Sequence, residues 1–195
     1  MGYKHQEKEI IKVGYELFRK KGYHNLGINE ILTVAKLPKG SFYNFFKSKE
    51  VFACRVIEWY GSNNQRWLNN YFKTPKGNSF QAIKDFYLLI FYYNEIDLYT
   101  SGCLLNLMSN EVGRSNDTIA AAIEVQFESW MTEIAQFIEL GQARGEITKD
   151  FKAREIAEYL HMGLYGTYPR MKTNRSRRAM DLWLNINLRA LIPHS

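Results

Sequence analysis

The chain has 195 residues, enough for a sizeable core, and 46% of them are hydrophobic and 15% aromatic, which excludes a disordered chain. Its longest strongly apolar run, Phe86–Tyr93, is too short to cross a bilayer, and the N-terminus carries no apolar segment of the secretory kind. The net charge is +6, and the first fifty residues, with ten Lys/Arg and five Asp/Glu, supply +5 of it, so positive charge is concentrated in that segment.

Apolar residues recur at helical spacing almost everywhere, period-2 alternation is absent, and the reading is all-α with about nine helices. The first puts Ile10, Val13, Gly14, Leu17 and Phe18 on one face and closes at Lys20-Lys21-Gly22, basic residues before a C′ glycine. Two short helices follow, roughly Ile28–Val34 and Lys39–Phe45. The fourth starts after Ser48, a good N-cap, with Glu50 in its first turn, and runs through Phe52, Val56, Tyr60, Trp67 and Tyr71. Thr74-Pro75-Lys76-Gly77 is the clearest break. A fifth helix spans about Ser79–Asn94, a short one Cys103–Val112, and a long one is capped near Ser115–Asp117 and ends before Gly145. The last two cover roughly Ala153–Tyr168 and Arg177–Leu191, with Pro169 and Pro193 marking ends and Arg170, Lys172, Arg175, Arg177 and Arg178 in a solvated loop between them.

Two short helices braced by a longer one follow the helix-turn-helix plan. In the stretch LPKGSFYNFFKSKE, from Leu37 to Glu50, Phe42 and Phe46 are four apart and anchor the second short helix. That leaves Lys39, Ser41, Tyr43, Asn44 and Lys49 for the opposite surface or its edges. Lysine and the tyrosine hydroxyl suit phosphate, Asn44 and Lys39 can read base edges, and Gly40 lets backbone approach a duplex closely.

Residues 10–52 resemble the DNA-binding domain of the TetR/AcrR family of bacterial transcriptional regulators. The resemblance is carried by Leu17-Phe18, Gly22-Tyr23, Ile31, Ala35, Lys39-Gly40-Ser41, Phe42-Tyr43, Phe46 and Ser48-Lys49-Glu50. It departs from the family at Gly27, where Thr or Ser often caps the second helix, at Lys36, where a turn glycine is common, and at Gly14, a usual alanine. The resemblance implies groove-facing roles for Asn29, Lys39, Gly40 and Asn44, and phosphate contacts for Ser41, Tyr43 and Lys49. It implies a helix-turn-helix domain over residues 1–48 and a helical effector-binding and dimerisation domain over 49–195. It also implies a homodimer, paired through the last two helices, that binds a near-palindromic double-stranded operator and is released by a small-molecule or electrophile effector.

The dimer stripes expected on those helices are Ile156, Leu160 and Leu164, with Ala157, Gly163 and Gly166, and then Trp183, Ile186, Asn187, Ala190 and Leu191; the alternative is core within one chain. Phe86, Tyr87, Met108, Phe127, Trp130 and Tyr165 are candidates to line an effector site, with Phe91 and Met131, although an aromatic stripe at helical spacing serves equally as plain core. Cys103 opens SGCLLNLMSNEV at a helix N-terminus, where a thiol becomes more reactive. The segment resembles a cysteine-containing branch of the family, some members of which, including the N-ethylmaleimide reductase repressor, sense electrophiles or oxidants through this cysteine; the alternative is a packed small hydrophobe.

The two cysteines make no disulfide framework, so a cytoplasmic protein with reduced thiols is expected, and the four histidines show no metal spacing. With no P-loop, GxSxG or HExxH, an enzyme is not expected, nor a resident cofactor or metal. A DNA-binding structural or cell-division factor that uses the same fold without an inducer is the alternative function.

Overall fold

In the computed structural model, residues 2–38, 40–100 and 102–193 are described, with side chains from residue 7 onward except that of residue 41. Among the described residues there are nine α-helices and a short 3-10 turn, and no strand. They are α1 (Gly2–Lys21), α2 (Ile28–Ala35), α3 (Ser41–Phe45), α4 (Lys49–Lys73), α5 (Ser79–Ile96), α6 (Leu104–Val112), α7 (Asp117–Ala143), α8 (Ala153–Asn174) and α9 (Arg178–Asn187), the last continued by 3-10 backbone over Leu188–Leu191. Among the described residues no helix is long and apolar enough to cross a membrane.

The helix starts follow capping chemistry. Ser48 Oγ accepts from Val51 N–H at 3.1 Å ahead of α4, Asn78 Oδ1 accepts from Gln81 N–H at 2.8 Å for α5, and Asn116 Oδ1 accepts from Ile119 N–H at 2.8 Å for α7. Gly27 is the N-cap of α2, in extended backbone and with no side-chain hydrogen bond to offer.

One expected boundary is corrected. Pro169 does not end α8, which continues to Asn174. A proline at this position removes one intrahelical hydrogen bond, but Tyr168 and Met171, on either side of it, are buried. Their packing outweighs the lost bond. The helix stops instead at Arg175, which is left-handed (φ 50°) and donates its N–H to the Met171 carbonyl. The basic residues expected in a loop therefore divide. Arg170 and Lys172 lie near the C-terminal end of α8, where cations suit the dipole, while Arg178 begins α9. Arg177 pairs with Asp181 at 3.1 Å and Glu95 at 3.5 Å.

The chain divides into two compact units. One comprises residues up to Asn64 together with Cys103–Phe127; the other comprises Gln65–Gly102 and Glu128–Ser195. The division falls inside α4 and again inside α7. The first unit is built on an aromatic cluster. Phe52 of α4 meets Phe18 of α1 with ring centroids 5.8 Å apart, Phe42 of α3 at 5.3 Å, and Phe46 just beyond α3 at 4.8 Å, and all four rings are buried. Each such ring is worth roughly 2 kcal/mol or more of hydrophobic stabilisation. The second unit packs Trp67 and Phe72 of α4, Ile83, Phe86 and Tyr87 of α5, Ile134, Phe137 and Ile138 of α7, and the inner faces of α8 and α9. Phe72 and Phe137 stack at 4.3 Å.

Ile156, Leu160, Leu164, Trp183 and Leu191, expected on an intersubunit stripe, are buried inside the protomer. Gly163 lies against the indole of Trp183 and so serves the packing of α9 on α8 in the same chain. The apolar residues that α8 and α9 turn outward are Tyr159, Met162, Leu182 and Ile186, all more than half exposed.

Gly14 is explained by the first core. A methyl there would collide with the Phe52 ring, itself fixed by three other rings. Alanine is the better helix former by about 1 kcal/mol, yet overpacking wins here. Gly14→Ala is expected to destabilise the protein by about 1–2 kcal/mol in urea unfolding, and Phe52→Leu in the same chain should recover part of the loss.

Candidate functional site

The short helix α3 has five residues, too few to persist in water alone. It is held by Phe42 and, one turn on, Phe46, with their rings 5.3 Å apart and almost fully buried. Burying those two positions turns Tyr43 and Asn44 outward. Tyr43 is 60% exposed and Asn44 is exposed, with Lys47 beyond them. Gly40, at the N-cap of α3, is exposed, and a side chain there would meet nothing within 4 Å. Asn29, in the first turn of α2, is exposed as well, and its backbone carbonyl accepts from Thr33 Oγ1 at 2.8 Å. Ser41 opens α3, and its side chain lies outside the described ones. Lys39 lies outside the described residues altogether.

The turn between α2 and α3 is set by Lys36. It is left-handed (φ 55°, ψ 43°), and the next amide, Leu37 N–H, reaches back to the Leu32 carbonyl at 3.0 Å. This is a Schellman closure, in which glycine is usual. A side chain in that conformation costs roughly 1 kcal/mol. The departure visible in the sequence is thus a real local strain, carried by an exposed lysine.

Lys49 differs from the other expected contacts. It is half-buried at the start of α4, and its ammonium donates to the Tyr23 carbonyl while lying 4.3 Å from the centroid of the Tyr23 ring. Burial pulls its pKa below the ordinary lysine value, and the negative charge of Glu111 acts the other way. The sequence offered no signal of this arrangement, because Glu111 is 88 residues from Tyr23.

The candidate effector residues are distributed over both units. Cys103, Met108 and Phe127 belong to the first; Phe86, Tyr87, Trp130 and Tyr165 belong to the second. Cys103 is the N-cap of α6 rather than a residue of its first turn. It is buried, and its carbonyl accepts from Leu107 N–H at 3.1 Å. Met108 is fully buried, Trp130 is buried and Phe127 half-buried. In the second unit Phe86 and Tyr87 are both buried, with centroids 5.0 Å apart.

Sequence reading missed the partner of Tyr87. Its phenol lies 3.1 Å from Nδ1 of His161, on α8. Tyr165, half-buried, sets its ring edge-on to His161 at 5.4 Å, and Trp183 lies 4.7 Å from Tyr87. Burial drives the His161 pKa down to about 3 and pushes the Tyr87 phenol well above its ordinary value. The pair is therefore neutral, and the phenol and Nδ1 share one hydrogen bond whose direction follows the imidazole tautomer. The signal available in the sequence was that His161 shares the α8 stripe of Ala157, Leu164 and Tyr168, where a polar residue must find a partner. Among the described residues no group of three or more His, Cys, Asp or Glu could hold a metal ion.

The pair makes stability depend on pH. Between about pH 6.5 and 3 the unfolded chain protonates His161 and the folded chain does not, so stability falls as pH falls through that window. The slope from this group approaches about 1.4 kcal/mol per pH unit. His161→Phe should cost about 1–3 kcal/mol at pH 7 by stranding the Tyr87 hydroxyl. The gap between wild type and variant in urea unfolding should then narrow steadily below pH 6.5, and a constant gap would place the proton elsewhere.

Comparison with known proteins gives a consistent answer. Residues 10–53 match the family model described as bacterial regulatory proteins, tetR family, and residues 81–186 match the one described as tetracyclin repressor-like, C-terminal domain. The chain is 28% identical over 186 residues to the HTH-type transcriptional repressor DhaR of Mycobacterium sp. (strain GP1), covering 95% of this chain and 92% of that protein. It is 26% identical over 184 residues to the HTH-type transcriptional repressor NemR of Escherichia coli (strain K12), covering 91% and 89%. Among solved structures, a regulatory protein TetR from Rhodobacter sphaeroides superimposes with a TM-score of 0.87 at 28% identity, covering 95% of this chain and 98% of that one.

Proposed function

The chain belongs to the TetR family of bacterial transcriptional regulators, and on that premise we propose that it is a homodimeric repressor that reads a near-palindromic operator with α3 and lets go of it when an effector binds or modifies it. One observation carries the DNA-reading part: α3 buries Phe42 and Phe46 and offers Tyr43 and Asn44 to solvent in the most basic segment of the chain. In this reading residues 1–48 are the DNA-binding domain, and 49–195 bind the effector and dimerise. Asn44, Lys39, Gly40 and Asn29 face the groove. Ser41 and Tyr43 contact phosphate, and Lys49 does so from the start of α4 with an ammonium N–H other than the one given to the Tyr23 carbonyl.

The dimer forms through α8 and α9. Tyr159, Met162, Leu182 and Ile186, exposed on those helices, supply the apolar face that a second copy covers. Two-fold symmetry then sets the two α3 helices about one DNA turn apart, roughly 34–36 Å. The protein acts in the cytoplasm, has no catalytic role and needs no cofactor. Control requires an effector with unequal affinity for the DNA-competent state and its alternative. Phe86, Tyr87, Trp130 and Tyr165 furnish a recognition surface within the second unit, and Met108 and Phe127 are effector residues of the first. The neutral Tyr87–His161 pair favours an uncharged effector there. Cys103 is the site of electrophile action.

Two outcomes test this reading. In anisotropy titrations Tyr43→Phe should weaken binding to all sequences alike, by about fivefold. Asn44→Ala should change the preferred sequence at one position of each half-site, by about 1–3 kcal/mol of discrimination. An unchanged sequence preference in Asn44→Ala removes its base-reading role. In the second, N-ethylmaleimide should release DNA from the wild-type protein, and Cys103→Ser should abolish the release; release that persists in the variant removes Cys103 as sensor.

A further inference from the structure

Tyr23, in the turn between α1 and α2, is where four parts of the first unit meet. Its backbone N–H donates to the carboxylate of Glu111, near the C-terminal end of α6. Its carbonyl accepts from the ammonium of Lys49, the first residue of α4, which also lies over its ring. That ring stacks on Phe18 of α1 with centroids 6.0 Å apart. Beside it, His24 Nε2 lies 3.3 Å from the Glu111 carbonyl oxygen. Gly22 (φ 75°) completes the fit: a Cβ at this position would fall on the Glu111 carboxylate, so glycine is required by the backbone and by the neighbour at once.

The arrangement is more than a turn closure. An amide in an exposed turn is ordinarily satisfied by water. Here it is satisfied by a charged group from a helix 88 residues away in sequence, through a charge-assisted bond that is stronger than a neutral one. The residue that Glu111 holds from one side is the residue that Lys49 holds from the other. Lys49 begins the helix whose Phe52 seats α3. A shift of α6 therefore acts on Tyr23, and through it on Lys49 and on the turn that leads into α2.

We propose that Glu111 is a positioning residue for DNA reading, coupling the placement of α6 to that of α2 and α3 through Tyr23. The proposal rests on the DNA-reading function given above. Whatever favours one arrangement of α6 then changes DNA affinity, and DNA must act back on α6 by the same factor.

That reciprocity gives a test that needs no effector. A duplex is selected by the wild-type protein from a random-sequence pool, and amide hydrogen exchange in residues 104–112 is measured with and without saturating duplex. Wild type, Glu111→Ala and Glu111→Gln are compared. The duplex should slow exchange in this segment in the wild-type protein and in Glu111→Gln, which keeps an acceptor for the Tyr23 amide. The slowing should vanish in Glu111→Ala, whose affinity for the duplex should fall about tenfold with an unchanged dependence on salt, because no phosphate contact is lost. A merely structural role would speed exchange in the free variant but leave the DNA-induced slowing in place, and that result would overturn the coupling. So would a wild-type protein that binds its selected duplex without any slowing in 104–112. Failure to enrich any duplex would instead overturn the DNA-reading function, and the coupling to DNA with it.

Discussion

A helix of five residues does not hold itself together in water, and everything proposed for this protein depends on one such helix keeping its place. The rings of Phe18, Phe42, Phe46 and Phe52 do that work, with Phe52 at the centre and neighbours at 4.8–5.8 Å. Because the anchors are four residues apart, the helical repeat leaves Tyr43 and Asn44 facing solvent without further instruction. The same cluster limits its surroundings. It leaves no room for a side chain at Gly14. The preceding turn bears roughly 1 kcal/mol of left-handed strain at Lys36, a cost that the buried rings outweigh.

The second unit solves a different problem. Its core contains a histidine and a tyrosine where only apolar groups are inexpensive to bury. Each satisfies the other at 3.1 Å, and neither carries charge at neutral pH. Around them α8 and α9 have two working faces. The inner one, with Leu160, Leu164 and Trp183, packs the protomer; the outer one, with Met162, Leu182 and Ile186, stays apolar and uncovered. A helix with apolar residues on both sides has more to bury than a single chain provides, which is the physical argument for a second copy.

Local structure was the legible part of the sequence. The helical repeat located all nine helices, and Gly22, Ser48 and the Thr74–Gly77 break marked their ends because caps and turns depend on neighbouring residues. Phe42 and Phe46 announced the buried face of α3, and Lys36 stood out as a lysine where a left-handed turn was needed. The errors share a cause. Pro169 signals a stop locally, but the burial of Tyr168 and Met171 overrides it. The stripe of Ile156, Leu160 and Leu164 was assigned to a partner because periodicity shows that a face is apolar without saying what covers it. Glu111 on Tyr23 and His161 on Tyr87 join residues 88 and 74 apart, and no local pattern encodes such a meeting.

The measurement that bears most directly on the account is selection of duplex DNA from a random pool by the wild-type protein, with the mass of the bound complex determined in the same preparation. A dimer reading through α3 should enrich an inverted repeat whose half-sites are centred about one helical turn apart, roughly 34–36 Å, with two protein chains per site. Enrichment of a lone half-site by a single chain, or of no sequence at all, would contradict it.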